Sequence, residues 1–230
     1  MLASAGTAAR QICILMTKDL RVEARTRQTL GLVTVLGILI IVVLGLGLGG
    51  EASATRGFGA TAVLWVAYLF SGVLCFEKTM ALERADGAMA ALMVAPIDRG
   101  HIYLAKLLSN LILMSAIAAV VTPCGVLFFA FDLSAAPGTF VAVMSLAVIG
   151  FAAVGTLFAA VVSSTRLQGG LLAMMIFPVT LPLVIASMQL LLHRFRDGQA
   201  IGGVGLGVLM AFDAIFLTLS WAVFEWVLEP

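Results

Sequence analysis

The chain has 230 residues, of which 62% are hydrophobic types and 11% charged, with a mean hydropathy of +1.16. Ordinary soluble domains carry about 25% charged residues, so there is too little polar material here to cover a water-facing surface, and lipid must solvate much of the chain. A net charge of +1 gives no sign of a nucleic-acid partner.

Near the N-terminus, Ile12, Leu15, Met16 and Leu20 form an apolar stripe, while Lys18, Arg21 and Arg25 form a basic one. This is the composition of an amphipathic helix in the membrane interface, with its cations near anionic headgroups. The segment does not read as a cleavable signal. The first long apolar run starts only near Leu30 and is too long for a signal core.

A transmembrane helix needs about 20 mostly apolar residues. Six runs qualify, approximately 30–50, 57–76, 107–131, 138–163, 168–192 and 203–226. Their uniform apolarity lacks the alternation of barrel strands, and a backbone in lipid must satisfy its own hydrogen bonds. The expected fold is therefore an all-α integral membrane bundle of six transmembrane helices, one domain over residues 1–230, with the interfacial helix in front. Lys and Arg set its orientation. With the N-terminus in the cytoplasm, ten of the 13 cations fall on that side: Arg10, Lys18, Arg21, Arg25, Arg27, Lys78, Arg84, Arg99, Lys106 and Arg166. Arg56, Arg194 and Arg196 fall outside. Six spans return the C-terminus to the cytoplasm.

The longest loop, FEKTMALERADGAMAALMVAPIDRG over 76–100, then joins the second and third spans on the cytoplasmic side. Read as a helix, it puts Leu82, Ala85, Met89, Leu92 and Met93 on one side and Glu83, Arg84 and Asp86 elsewhere. Thr79 is expected to cap its start and Pro96 to end it. Two readings fit: a solvated loop resting on headgroups, or an amphipathic helix docked in a protein groove.

Few residues carry chemistry. Asp213 falls near the middle of the sixth span, where insertion of an aspartate costs about 2.5 to 3.5 kcal/mol. It must face the bundle, a partner or water, or be protonated. It serves either as a proton or substrate contact or as a structural polar contact between helices. His193, Arg194 and Arg196 cluster at the outer end of the fifth span. An imidazole for iron and two guanidiniums for propionates would suit a periplasmic haem or partner contact; a solvated interfacial loop uses the same residues. His101 sits beside Arg99 with no chemistry marked. Pro178 and Pro182 are expected to interrupt and kink the fifth span. Gly45 with Gly49, and Gly203 with Gly207, have the four-residue spacing that permits close helix approach. Cys13, Cys75 and Cys124 show no paired spacing, so no metal or disulfide framework is expected.

The stretch ERADGAMAALMVAP, followed by LAKLL, resembles the haem exporter B family, the membrane subunit of the bacterial cytochrome c maturation ABC transporter. Glu83, Arg84, Gly87, Leu92 and Pro96 match the loop pattern, and Lys106 matches the lysine heading the third helix. The opening KDLRVEARTRQTL resembles that family's N-terminal segment, with Asp19, Leu20, Glu23 and Arg25. The resemblance implies two copies of a six-helix permease in the bacterial inner membrane, working with two copies of a separate ATPase subunit. It also implies haem-handling membrane subunits C and D and a periplasmic haem chaperone, which ATP hydrolysis releases once loaded. The loop would then be the coupling helix seated on the ATPase, its contacts drawn from Glu83, Arg84, Asp86, Gly87, Met89, Leu92 and Pro96. No phosphate-binding loop of the form G-x-x-x-x-G-K-[ST] occurs, so ATP would bind the partner, this chain would not be an enzyme, and haem would belong to the complex. The rivals are a permease for another ABC exporter of drug, lipid or polysaccharide, a secondary transporter, and an intramembrane enzyme. The last two need mid-membrane polar clusters, and only Asp213 qualifies.

Overall fold

A charge-free run marks where hydrocarbon surrounds a helix; it does not mark where the helix stops, because the hydrogen-bond ladder continues into water. The computed structural model describes residues 2–48, 53–85, 97–129, 133, 136–164, 170–198 and 202–227. Among them are seven helices: α1 Leu2–Thr26, α2 Gln28–Gly47, α3 Ser53–Ala85, α4 Arg99–Phe129, α5 Pro137–Ser164, α6 Leu171–Asp197 and α7 Val204–Val227. Helices α2 to α7 are each long and apolar enough to cross a bilayer, so the protein is a multi-pass, all-α membrane protein.

The helices outrun the apolar runs at one end in particular. Helix α3 continues past Phe76 to Ala85, and α4 already begins at Arg99. Thr79 therefore does not open a new helix, contrary to the expectation from sequence. It lies inside α3, and its hydroxyl donates to Phe76 O at 3.1 Å and to Asn110 Oδ1 at 3.3 Å. Pro178 and Pro182 likewise lie inside α6 without interrupting it. Prolines are tolerated inside membrane helices. The Thr180 hydroxyl, between the two, bonds back to Ile176 O at 2.9 Å; the carbonyls that the prolines free are those of Met174 and Pro178, four residues before each.

Helix ends follow from local chemistry. Arg27 takes a left-handed φ of 51° between α1 and α2. Asp98 caps α4 by accepting the Gly100 N–H at 2.9 Å. Pro137 is the first residue of α5, the position where its missing N–H is harmless.

Helices α3 and α5 form the centre. Helix α2 flanks α3 and α4 on one side, and α6 and α7 flank α5 on the other. The central contact is reciprocal. Phe151 of α5 fills the space over Gly72 of α3, and Phe76 of α3 fills the space over Gly155 of α5. The two rings meet edge to face, 5.3 Å apart. A Cβ on either glycine would overlap a ring. The spaced glycines singled out from sequence behave differently. Gly45 abuts Phe128 and Phe129, Gly207 has open space beside it, and Gly49 lies outside the described residues. Leu32, Val35 and Leu39 on α2, and Ile215, Leu219 and Trp221 on α7, are exposed, as lipid-facing side chains should be.

Candidate functional site

The polar groups of this bundle gather at one end, where α1, the C-terminal turns of α3 and the N-terminal turns of α4 converge. Helix α1 advances alongside α4. Gln11 Oε1 pairs with His101 Nδ1 at 3.2 Å, and two turns later Asp19 Oδ2 meets Lys106 Nζ at 2.6 Å. Lys106 is 6% exposed. Burying an ammonium is tolerable only against a partner of this kind. Lys18 approaches the other Asp19 oxygen at 3.1 Å.

One turn beyond Asp19, buried Glu23 does a second job. Its Oε1 accepts the Leu30 N–H at 2.7 Å. That places a carboxylate at the N-terminus of α2, where free N–H groups and the helix dipole favour an anion. The left-handed Arg27 lets the chain fold back far enough for this reach. One carboxylate thus fastens α1 to α4, and the next fastens α1 to α2.

One turn deeper along α4, Asn110 Nδ2 donates to Thr156 Oγ1 of α5 at 2.9 Å, while Asn110 Oδ1 accepts from Thr79 of α3. This three-helix polar link is buried and mutually satisfied, as an amide inside a membrane protein must be. Sequence reasoning passed over Asn110 and Thr156. The signal was there: an asparagine inside a long apolar run requires a partner.

The predicted coupling residues divide. Glu83 and Arg84 fall in the last turn of α3, with side chains outside the described set, and Asp86, Gly87, Met89, Leu92 and Pro96 lie outside the described residues. Asp213 is on α7, 8% exposed, and packs against Gly150 of α5 beside Leu183 and Phe212. Its Oδ1 has no hydrogen-bond partner among the described residues. His193 and Arg194 occupy the end of α6, where Arg194 donates to Gly198 O at 3.0 Å; the Arg196 side chain lies outside the described set. Among the described residues no group of His, Cys, Asp or Glu is arranged to hold a metal. A groove of about 820 Å³ opens between α4 and α5, lined by Thr122, Phe140, Met144 and Val148 among others, with no charged residue among its described walls.

Residues 10–227, nearly the whole chain, match the CcmB protein family. The chain belongs to this family. It is similar to proteins named heme exporter protein B from Paracoccus denitrificans, at 27% identity over 91% of this chain and 94% of the relative, and from Rhodobacter capsulatus, at 24% over 89% and 92%. In this CcmB-family chain, the two segments that carried the family resemblance touch: Asp19 comes from the N-terminal segment, and its partner Lys106 heads the third span.

Proposed function

We propose that this CcmB-family protein is the permease subunit of an ATP-driven complex for cytochrome c maturation. It would sit in the bacterial inner membrane with both termini in the cytoplasm. Family membership and the relatives named heme exporter protein B support a membrane subunit of a haem export system. The observation that carries the coupling role is the charged end of the bundle. Two helices that both project beyond their apolar spans, α3 and α4, are joined in sequence by the 86–96 segment, and α1 is pinned to the second of them.

In this reading ATP is hydrolysed on a separate subunit, and this chain supplies no catalytic group. The partner bears on the loop through Glu83, Arg84, Asp86, Gly87, Met89, Leu92 and Pro96. A displacement there acts on α3 and α4 together, and the Thr79–Asn110–Thr156 link passes it to α5. A second copy of the chain, subunits C and D and a periplasmic haem chaperone complete the complex, and hydrolysis releases the loaded chaperone. His193, Arg194 and Arg196 are the proposed periplasmic contact for haem or a partner, and Asp213 the intramembrane polar site.

The test is co-purification and complementation in a strain lacking the native gene. Gly87→Trp and Leu92→Glu should insert normally, lose the co-purifying ATPase subunit and abolish c-type cytochrome assembly, read by haem staining. Undiminished ATPase in both variants would refute the docking assignment. The uncharged groove between α4 and α5 favours one rival, a permease for an apolar lipid. Full cytochrome c assembly in the deletion strain would select that rival.

A further inference from the structure

Helix α1 turns its acids and its bases in different directions. Asp19 and Glu23 face the bundle and are engaged there by Lys106 and the Leu30 N–H. Leu15 is buried, and Ile12 and Leu20 pack against the core. The apolar stripe read from sequence as membrane-facing is therefore largely taken up by the protein. What remains outside is a second face. Cys13, Ile14, Thr17, Arg21, Val22 and Arg25 are among the residues lining a recess of about 500 Å³.

This face has two properties that together specify a ligand. Arg21 and Arg25 are both exposed and stand one helical turn apart, a like-charge spacing that destabilises a helix when nothing neutralises it. Among the described residues neither is paired, because the nearest acids on α1 point the other way. Beside them Ile14 is 57% exposed and Val22 39% exposed. Water suits the guanidiniums and hydrocarbon suits the aliphatic side chains, so the site belongs where the two meet.

The register of the helices puts it there. Asp19 is level with Lys106, the last charge of α4 before its apolar run, and the Glu23 carboxylate reaches the first turn of α2. Helices α2 and α4 then advance together, Gly37 beside Val121 and Gly45 beside Phe129. Arg21 and Arg25 thus lie between the last charged level of α4 and the start of the α2 span, which is the depth of lipid phosphates.

We infer that the outward face of α1 is a binding site for one anionic phospholipid, with Arg21 and Arg25 holding the headgroup phosphate and Ile14 and Val22 lying along the adjoining acyl chain. A zwitterionic lipid brings its own ammonium and leaves the two guanidiniums under-neutralised, so the site selects net negative charge. The inference requires only a membrane-embedded chain and stands apart from the ATP-coupled role.

The test uses the full-length protein in nanodiscs of phosphatidylglycerol and phosphatidylcholine. Cys13 is exposed on this face, Cys75 is buried, and Cys124 is half-buried, so a Cys124→Ser background allows a fluorophore on Cys13. Spin-labelled phosphatidylglycerol should quench it more strongly than spin-labelled phosphatidylcholine. The phosphatidylglycerol preference, read also by native mass spectrometry of retained lipid, should fall about five-fold for each arginine removed in Arg21→Gln and Arg25→Gln. It should survive in Arg21→Lys with Arg25→Lys. Equal quenching by the two lipids in the unmutated site overturns the inference without any variant. Loss of the preference on adding inorganic phosphate overturns it in favour of a free-anion site. Burial of the Cys13 label by the co-expressed ATPase subunit, with no lipid preference, overturns it in favour of a protein contact.

Discussion

Asp19→Asn should loosen α1 from the bundle, and the size of the loss follows from the contact. Lys106 Nζ lies 2.6 Å from Asp19 Oδ2, with side-chain exposures of 8% and 16%. The substitution leaves an ammonium buried beside a neutral amide. Removing one partner of a buried pair costs about 3 to 5 kcal/mol. The remaining exposure of Asp19 sets the expectation at the lower end, about 3 kcal/mol. For a chain of this size 1 kcal/mol shifts the melting temperature by roughly 2 to 4 °C, so the drop should be roughly 6 to 12 °C. Lys106→Met should cost less, because Asp19 keeps Lys18 at 3.1 Å. The double variant Asp19→Asn with Lys106→Met removes both charges and should return to within about 1 to 2 kcal/mol of the parent. Thermal unfolding of the four purified proteins in one detergent, followed by tryptophan fluorescence, closes the cycle. If Asp19→Asn melts with the parent, or if the two single effects simply add in the double variant, the pair is uncoupled and the apolar face alone holds α1.

Three further outcomes are expected. Glu23→Ala removes the acceptor of the Leu30 N–H and should cost about 1 to 2 kcal/mol in the same melt. Gly155→Ala drives a methyl into the Phe76 ring and should cost about 1 to 3 kcal/mol, partly recovered by Phe76→Leu; no recovery would mean the ring is not the obstacle. Asp213→Asn, a neutral isostere beside Gly150, should leave folding and complex recovery unchanged. Lost cytochrome c assembly in that intact complex would show that Asp213 acts through its proton rather than its shape.

Much of the architecture was legible because hydropathy is a local property. Six apolar runs became the six spans, and the stripe over residues 12–25 became an amphipathic helix. Their ends were misread where polarity was taken for helix termination. Thr79 looked like a cap only on the reading of the loop as a separate helix, yet a helix needs no apolar side chains to keep its hydrogen bonds, so α3 runs on to Ala85. Pro178 and Pro182 looked like breaks because each lacks a backbone donor, and the helix runs through both.

Hydropathy by itself settled that this chain lives in lipid, how many times it can cross, and where its few charges concentrate, because each of those facts depends on residues near one another in the chain. Tertiary structure alone decided which charges are spent on the protein and which are left for something else. Asp19 and Lys106 are 87 positions apart, and no local pattern says that they meet. Once they do, the acids of α1 are fixed inward and its arginines must face out, since one side of a helix cannot serve two neighbours at once.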